Sequence, residues 1–557
     1  MTDDTMRRWV SAFGFHLCLT VLLALAAAPA VAQVPAYVIS ISDPQSDVAK
    51  LLRNGQQLEG QCRWGEALAH YEDAVRKHPD DSRLRQRFDT TRLHYDLERR
   101  YNDRSFRASV LKLSTERALE LYSQVLLKIE SHYVDAPHWS ELLQRGTVNV
   151  ELALGESIFL DQNVPAQDRQ AVDAFRRELR NVIGARAVNT RADLRDTVAS
   201  VSRLALERLE VAPSAIVLEY LCGATNALDP YSTYLTPDQL NEVYAQIEGN
   251  FVGLGVELKA QDGKLVILRV ISGSPAEEVG VRPQDEILAI DNRPTRDLTT
   301  DQAANLLQGV NGSNVVLTLA APRQAPRQLT IRRRRVDVPS VDQVAIIDPQ
   351  YGIGYFKLTC FQKTTSHDVD AALWKLHREG MKSLVIDVRG NPGGLLVSSV
   401  EVVDRFVERG VIVSTRGRSP QEDFTYSAHE QAKWRMPLVV LIDQDSASAA
   451  EIFAGAIRDH RRGTIVGVRS FGKGSVQGIF PLDDSMAGVR LTTAKFYSPF
   501  GRPYSQVGVE PDITASPAHV AARPIDGRLP DAGDAMLTAA LQAARGTAPP
   551  LQARNSP

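Results

Sequence analysis

Ser448 lies where an apolar run, Leu438-Val439-Val440-Leu441-Ile442, passes through Asp443-Gln444-Asp445 into the small residues Ser446-Ala447-Ser448-Ala449-Ala450. Glu451 and Ile452 follow, and the apolar positions Phe453, Ala456 and Ile457 then recur at helical spacing. That order predicts a strand, a polar turn and a helix. A serine at such a junction can have its hydroxyl lifted above the sheet edge, with the free amides of the first helical turn aimed at whatever binds there. Serine is a poor nucleophile at its own pKa and needs a base. By itself, a Ser-Ala-Ser segment at a helix start reads as ordinary capping.

A candidate base stands in Ser470-Phe471-Gly472-Lys473-Gly474-Ser475-Val476-Gln477. Glycines on both sides of Lys473 permit a tight bend and keep competing side chains away. An isolated loop lysine is normally a solvated charge, but one held in a partly desolvated pocket can shed its proton near neutral pH and act as a general base. Gln477 could hold the amine through its side-chain oxygen. Gly467 to Lys473 also fits the start of a phosphate loop, but Gly474 stands where GxxxxGK[ST] needs a hydroxyl for the metal, which rejects that reading. Asp387, Asp443 and Asp445 have no histidine at ligand spacing, so no metal is expected. His460 reads as a helix cap or surface group.

Three kinds of element surround these residues. From about Ser46 to Leu221 apolar residues recur three and four apart, the mark of helices. Within that region Gly60, Trp64, Ala67, Tyr71, Ala74 and Pro79 resemble one tetratricopeptide-type hairpin, with a generic helical hairpin as the alternative. Beyond Ile247 strand-like runs appear at 265–270, 286–290 and 315–319, then a helical stretch at 299–307. This order resembles a PDZ domain, a module that captures extended peptides by β-addition. Gln284 replaces the usual glycine before Asp285. The run Arg332 to Arg335 at its exit reads as an exposed strand or linker, with a binding patch for an acidic adaptor as the minor alternative. From about Ser340 to Ile513 the pattern is α/β, with buried strands at 384–388, 411–415, 438–442 and 464–468 and helices at 369–379 and 400–409.

Taken together, the serine and lysine segments resemble those of the carboxyl-terminal processing peptidases, the tail-specific Ser-Lys endopeptidases of the S41 class. Further matches are Leu228-Asp229-Pro230-Tyr231-Ser232-Thr233-Tyr234-Leu235, with Tyr231 where the family has histidine, and Gly253-Leu254-Gly255-Val256 at the PDZ entrance. Gly354 to Leu358, Asp387 to Gly394, Tyr497-Ser498-Pro499 and Gly508 to Ile513 extend the resemblance through the last large block. Ala450 replaces a common family serine that is not the nucleophile. The resemblance implies Ser448 as nucleophile, Lys473 as base, Gln477 as the residue orienting it, and no cofactor. It also implies an α/β core of the ClpP/crotonase type.

Physical reading adds the oxyanion hole. Glycine-rich Gly390 to Gly394 follows an apolar strand, so its backbone can approach a reacting carbonyl. The amides of Ala449 and of either Gly393 or Gly394 are the candidate donors. In the PDZ-like module, the backbone of Phe251, Val252, Gly253, Leu254 and Gly255 is the expected cradle for a substrate's terminal carboxylate. The expected organisation is a signal peptide over 1–32, a helical region over 33–246, a PDZ domain over 247–335, a peptidase core over 336–520 on which part of 222–256 packs, and a short helix with a disordered tail over 521–557.

The 557 residues, 43% hydrophobic and 24% charged, belong to an ordinary multidomain globular chain, not a multi-span membrane protein. A formal charge of -3 offers no basic field for a nucleic acid. Arg7 and Arg8, the apolar run from Trp9 and the end at Ala30-x-Ala32 predict a cleaved export signal and a periplasmic or otherwise exported soluble protein; retention of the segment would leave it membrane-associated. Four widely spaced cysteines, Cys18, Cys62, Cys222 and Cys360, read as small buried hydrophobes. Expected partners are proteins or peptides with free carboxyl-terminal tails, and an adaptor or a second copy at the amino-terminal helices. The competing readings are a silent binding scaffold of the same fold and a hydrolase of esters or lactams.

Overall fold

The structure, a computed structural model, describes residues 44–547 apart from 165–168, 262–263, 297, 299, 430–433, 483–485 and 517–533. The expected export signal and the expected disordered tail at the end of the chain lie outside the described residues. The chain divides into two compact units, residues 1–91 and 92–557. In the first, helices Pro44–Gly60 and Trp64–Lys77 pack through Ala67, Tyr71 and Ala74 against Val48 and Leu84. Close approach occurs at Gly55, where a Cβ would meet the Tyr71 ring at 2.2 Å, whereas Gly60 faces open space. Asp81 starts the next helix, Ser82–Asn102, by accepting from the amides of Arg83 and Leu84. Cys62 is exposed at a left-handed turn position after the first helix and Cys360 is half-buried, so of the described cysteines only Cys222 is buried as expected.

The second unit opens with a helical layer in which Pro213–Asn226 is buried along nearly its whole length. Gly223 makes this possible: a Cβ there would lie 2.6 Å from Gly146 Cα on helix Trp139–Ala153. The buried Glu219 carboxylate is satisfied by Arg100, Tyr101 and Asn149. A paired and fully hydrogen-bonded charge of this kind is the form in which a buried carboxylate persists.

Next comes a sheet ordered Val256–Gln261, Lys264–Val270, Glu286–Ile290, Asn314–Ala320, Arg327–Arg332, with helix Thr300–Leu307 packed on it. Among the described residues no strand pairs with the outer edge of Val256–Gln261. Of the arginine run, Arg333 is buried and not exposed. It donates to the carbonyls of Leu306, Leu307 and Asn314, closing the end of that helix, because the four carbonyls of a helix terminus need donors from elsewhere.

The remaining α/β region is built on a six-stranded sheet ordered Val341–Asp348, Ile353–Leu358, Ser383–Asp387, Leu438–Ile442, Thr464–Gly467, Ile513–Thr514. It is parallel from Ile353 onward. Helices Thr365–Arg378, Leu396–Val403 and Ala449–Asp459 cover one face, and helix Ala535–Thr547 covers the other. Burial on both faces explains why Leu438–Ile442 is apolar throughout and does not alternate. A second sheet joins Thr233–Leu235, Gly488–Tyr497, Val411–Gly417 and Thr425–Ser427, with Ser475–Pro481 also paired to Gly488–Tyr497. Among the described residues no helix is long and apolar enough to cross a membrane.

Candidate active site

The strand Leu438–Ile442 ends at Asp443, and the chain turns into helix Ala449–Asp459 at Ser448. The two serines of the turn differ sharply. Ser446 is fully buried and spends its hydroxyl on the Val388 carbonyl, 2.8 Å, while accepting from the Asp443 amide. Ser448 is half-buried and holds φ 55°, ψ −115°, where a helix cap would take the extended region. Such a conformation costs about 1–3 kcal/mol and persists only where surrounding contacts impose it. A serine held on a strained strand-to-helix turn is the arrangement that exposes a nucleophilic hydroxyl.

The imposing contacts come from Glu451. Its carboxylate, fully out of solvent, accepts from the amides of Ser448 (2.8 Å), Gly472 (2.7 Å) and Lys473 (2.9 Å) and from the Ser470 hydroxyl (2.6 Å). One carboxylate therefore clamps the serine turn to the lysine loop. Burial pushes its pKa up, and the four donors oppose that shift. Sequence reasoning gave Glu451 no role. The signal that could have found it is the Ser-x-x-Glu spacing of Ser448 and Glu451, which lets a glutamate reach back to the first amide of its helix.

Lys473 is half-buried, and its amine sits 4.8 Å from the centroid of the Tyr231 ring. Burial first, then the Arg490 guanidinium, pull its pKa down to about 8, against the opposing pull of Glu451 and Asp229. Tyr231 is held in place by Asp229, whose carboxylate accepts from the amides of Tyr231 (2.7 Å) and Ser232 (2.9 Å). Ser232 in turn accepts from the Thr492 amide, and Arg490 donates to the Tyr231 carbonyl. The segment Leu228 to Leu235 thus positions an aromatic face against the lysine.

The glycine loop closes on the same turn. The Ala447 amide donates to the Asn391 carbonyl, and a Cβ on Gly393 would lie 2.7 Å from Ser448 Cβ. Gly394, at φ 139°, has no space at all: a Cβ there would meet the Phe361 carbonyl oxygen at 2.0 Å. The Gly393 amide is taken by the Asn391 side chain, 2.9 Å, whereas the amides of Gly394 and Ala449 have no protein acceptor among the described residues. Asp387 and Asp443 serve these loops. Asp387 accepts from Tyr355 and Arg389, and Asp443 from the amides of Gly390 and Asp445.

Gln477 lies on strand Ser475–Pro481, and its amide nitrogen donates to Ser475 Oγ (2.9 Å) and Thr492 Oγ1 (3.4 Å). No hydrogen bond joins it to Lys473 among the described residues. His460 sits at the end of helix Ala449–Asp459, bonded to the Val411 carbonyl. In the PDZ-like module, Phe251, Val252 and Gly253 pair with Arg334 to Val336, while Leu254 and Gly255 form the turn into strand Val256–Gln261. Gly255 has φ 80°, and a Cβ on it would meet Ser274 Cβ at 2.2 Å.

Comparison with known proteins agrees with this layout. Residues 352–515 match the model of peptidase family S41, and residues 266–320 match a PDZ domain model. The chain is 36% identical over 289 residues to a carboxyl-terminal-processing protease of Synechocystis sp., covering 51% of this chain and 67% of that one. It is 37% identical over 297 residues to a carboxy-terminal-processing protease of Bartonella bacilliformis, 52% of this chain and 67% of the other. A carboxyl-terminal-processing protease of Picosynechococcus sp. is 34% identical over 290 residues, 51% and 69% of the two chains. Since the S41 match runs over the very sheet, glycine loop and serine turn described above, and the likeness spans two thirds of those relatives, the chain belongs to peptidase family S41, the carboxyl-terminal-processing proteases, and is a serine-type endopeptidase.

Proposed function

We propose that Ser448 attacks a substrate peptide carbonyl and that neutral Lys473 takes its proton. The Ser448 Oγ–carbon bond forms, the carbonyl becomes an oxyanion, and the amides of Ala449 and Gly394 stabilise that charge. Gly393 stays the alternative donor, though its amide is already bonded to Asn391. Collapse breaks the C–N bond, and the Lys473 ammonium returns its proton to the leaving amine. Water, giving a proton to the same lysine, then attacks the acyl carbon; the carbon–Oγ bond breaks, the Lys473 ammonium returns that proton to Ser448 Oγ, and the released acid ionises to solvent as a carboxylate. Gln477 orients the amine through its side-chain oxygen, the end of its amide left over when the nitrogen is held by Ser475 and Thr492. The observation that carries this reading is the single buried Glu451 carboxylate bonded to both Ser448 and Lys473, with the strained serine on one side and the depressed lysine on the other.

The substrate is a protein whose free carboxyl-terminal tail is captured by the PDZ module, its carboxylate lying on the backbone turn at Leu254 and Gly255 and its strand added to the edge of Val256–Gln261. The names of the relatives support this choice. The same reading assigns a ClpP/crotonase-type core over 336–520, the domain boundaries stated above, export after cleavage near Gln33, and an adaptor or self-association surface on the amino-terminal helices. The test is digestion of an unfolded protein with an apolar free tail by the purified chain, beside S448A and K473A. Equal digestion by all three would overturn the assignment.

A further inference from the structure

Apart from the serine, lysine and glycine segments, the second unit holds a polar cavity of about 240 Å³ whose lining includes Arg92, Arg99, Arg100 and Arg490. Only two lining side chains, Asp96 and Glu242, are carboxylates. Arg99 pairs with Glu242 at 3.3 Å, and Arg100 with Glu219 at 2.7 Å. Arg92 and Arg490 form no ion pair among the described residues, so two guanidinium groups share one lining carboxylate, Asp96. That carboxylate is itself disfavoured as an anion, since burial pushes its pKa up. Arg490 is pushed down by burial and then by the like charge of Arg99. Four guanidinium groups against two lining carboxylates leave the cavity with an excess of positive charge that a bound anion would balance.

An independent observation points the same way. Tyr234, 5% exposed, lines the cavity with a buried hydroxyl that has no partner among the described residues, and Nε of the equally buried Arg100 has none there either. Buried polar atoms are normally satisfied, and an orphan in a polar cavity calls for something to satisfy it. Arginine forks suit planar or tetrahedral oxyanions, and a phenol hydroxyl donates to the same acceptor. We propose that this cavity binds a small oxyanion, a carboxylate or a phosphate, between Arg92, Arg490 and the Tyr234 hydroxyl.

The test is thermal melting of the full-length S448A chain, which leaves peptides intact. Melts are run in inorganic phosphate and in sodium chloride at matched ionic strength, then with acetyl-Ala-Ala as free acid and as amide. A saturable rise of about 3 °C or more in phosphate over chloride is expected, and it should be lost in R92Q and reduced in Y234F. Stabilisation by the free-acid peptide and not by its amide would identify the anion as a chain terminus, and stabilisation by phosphate alone would identify a free anion. No rise with either, or a rise unchanged in both variants, overturns the proposal. Y234F removes one hydroxyl only, so it decides the matter if circular dichroism shows that R92Q fails to fold.

Discussion

Four hydrogen bonds converge on Glu451, and each ties a different backbone or hydroxyl group to the serine turn or the lysine loop. A neutral glutamine presents one acceptor oxygen and must turn an NH₂ toward donors. E451Q is therefore expected to lower kcat by about 10²-fold with little change in KM, since bonds of this charged kind contribute about 1.5–3 kcal/mol each. E451A should do worse and also lower the melting temperature. S448A and K473A should each reduce kcat/KM by about 10⁴-fold or more while substrate binding persists. Because Lys473 works as the neutral amine and its pKa lies at about 8, kcat/KM should climb with pH and level off above that value. R490Q removes a neighbouring positive charge that holds the lysine down, so its acid limb should move to higher pH. A limb that stays in place would show that burial alone sets the lysine. Ser448 and Lys473 were singled out through the family resemblance of their two segments, since residue type and small neighbours alone read as a helix cap and a solvated charge. Glu451 was not, because a glutamate in a first helical turn is ordinary until its burial is seen.

Among the elements, the strands of the α/β region were easiest to read. Leu438–Ile442 is a short apolar run bounded by polar residues, and its limits follow directly from the sequence. The hairpin Ser475–Pro481 with Gly488–Tyr497 was not recognised, because it carries Lys473 at its entrance and a mixed polar pattern that does not alternate. Its register sets Gln477 opposite Thr492 only through an irregularity between Val476 and Gln477, which no residue pattern announces. The glycine loop shows the opposite case: its composition announced a close approach, but only the fold reveals which glycine has no room. G394A should cost about 2 kcal/mol or more and abolish turnover, since its Cβ meets a backbone oxygen that cannot move aside. Thermal melting with a parallel peptide assay checks this. Wild-type melting in G394A would show that the loop yields.

For the molecule as a whole, the separation of capture from cleavage makes the sharpest prediction. With two substrates alike except that one tail is amidated, kcat/KM should fall by at least about tenfold on amidation for a long tailed protein. It should change little for a short peptide that reaches Ser448 unaided. An enzyme indifferent to amidation of the long substrate would show that the PDZ module does not read tails. Helix Ala535–Thr547 is the other long-range feature. Met536, Leu537, Ala540 and Ala544 cover Tyr355, Val385, Val439, Leu441 and Val466 on the far face of the sheet, and Asp534 pairs with Arg389 beside Asp387. The helix itself was visible in its periodicity. Its destination was not, because a segment returning from the chain end leaves no local mark of the surface it will cover.

The stacking of Lys473 on Tyr231 gives the site a built-in optical reporter. A phenol ring absorbs at a wavelength that shifts with the electric field across it, and a full charge 4.8 Å from the ring centroid switches when the lysine releases its proton. Subtracting the near-ultraviolet spectrum of Y231F from that of the parent chain isolates this ring from the other tyrosines. The difference signal, followed between pH 6 and 9.5, traces the protonation of a single amine in the resting enzyme, with no substrate, label or turnover required.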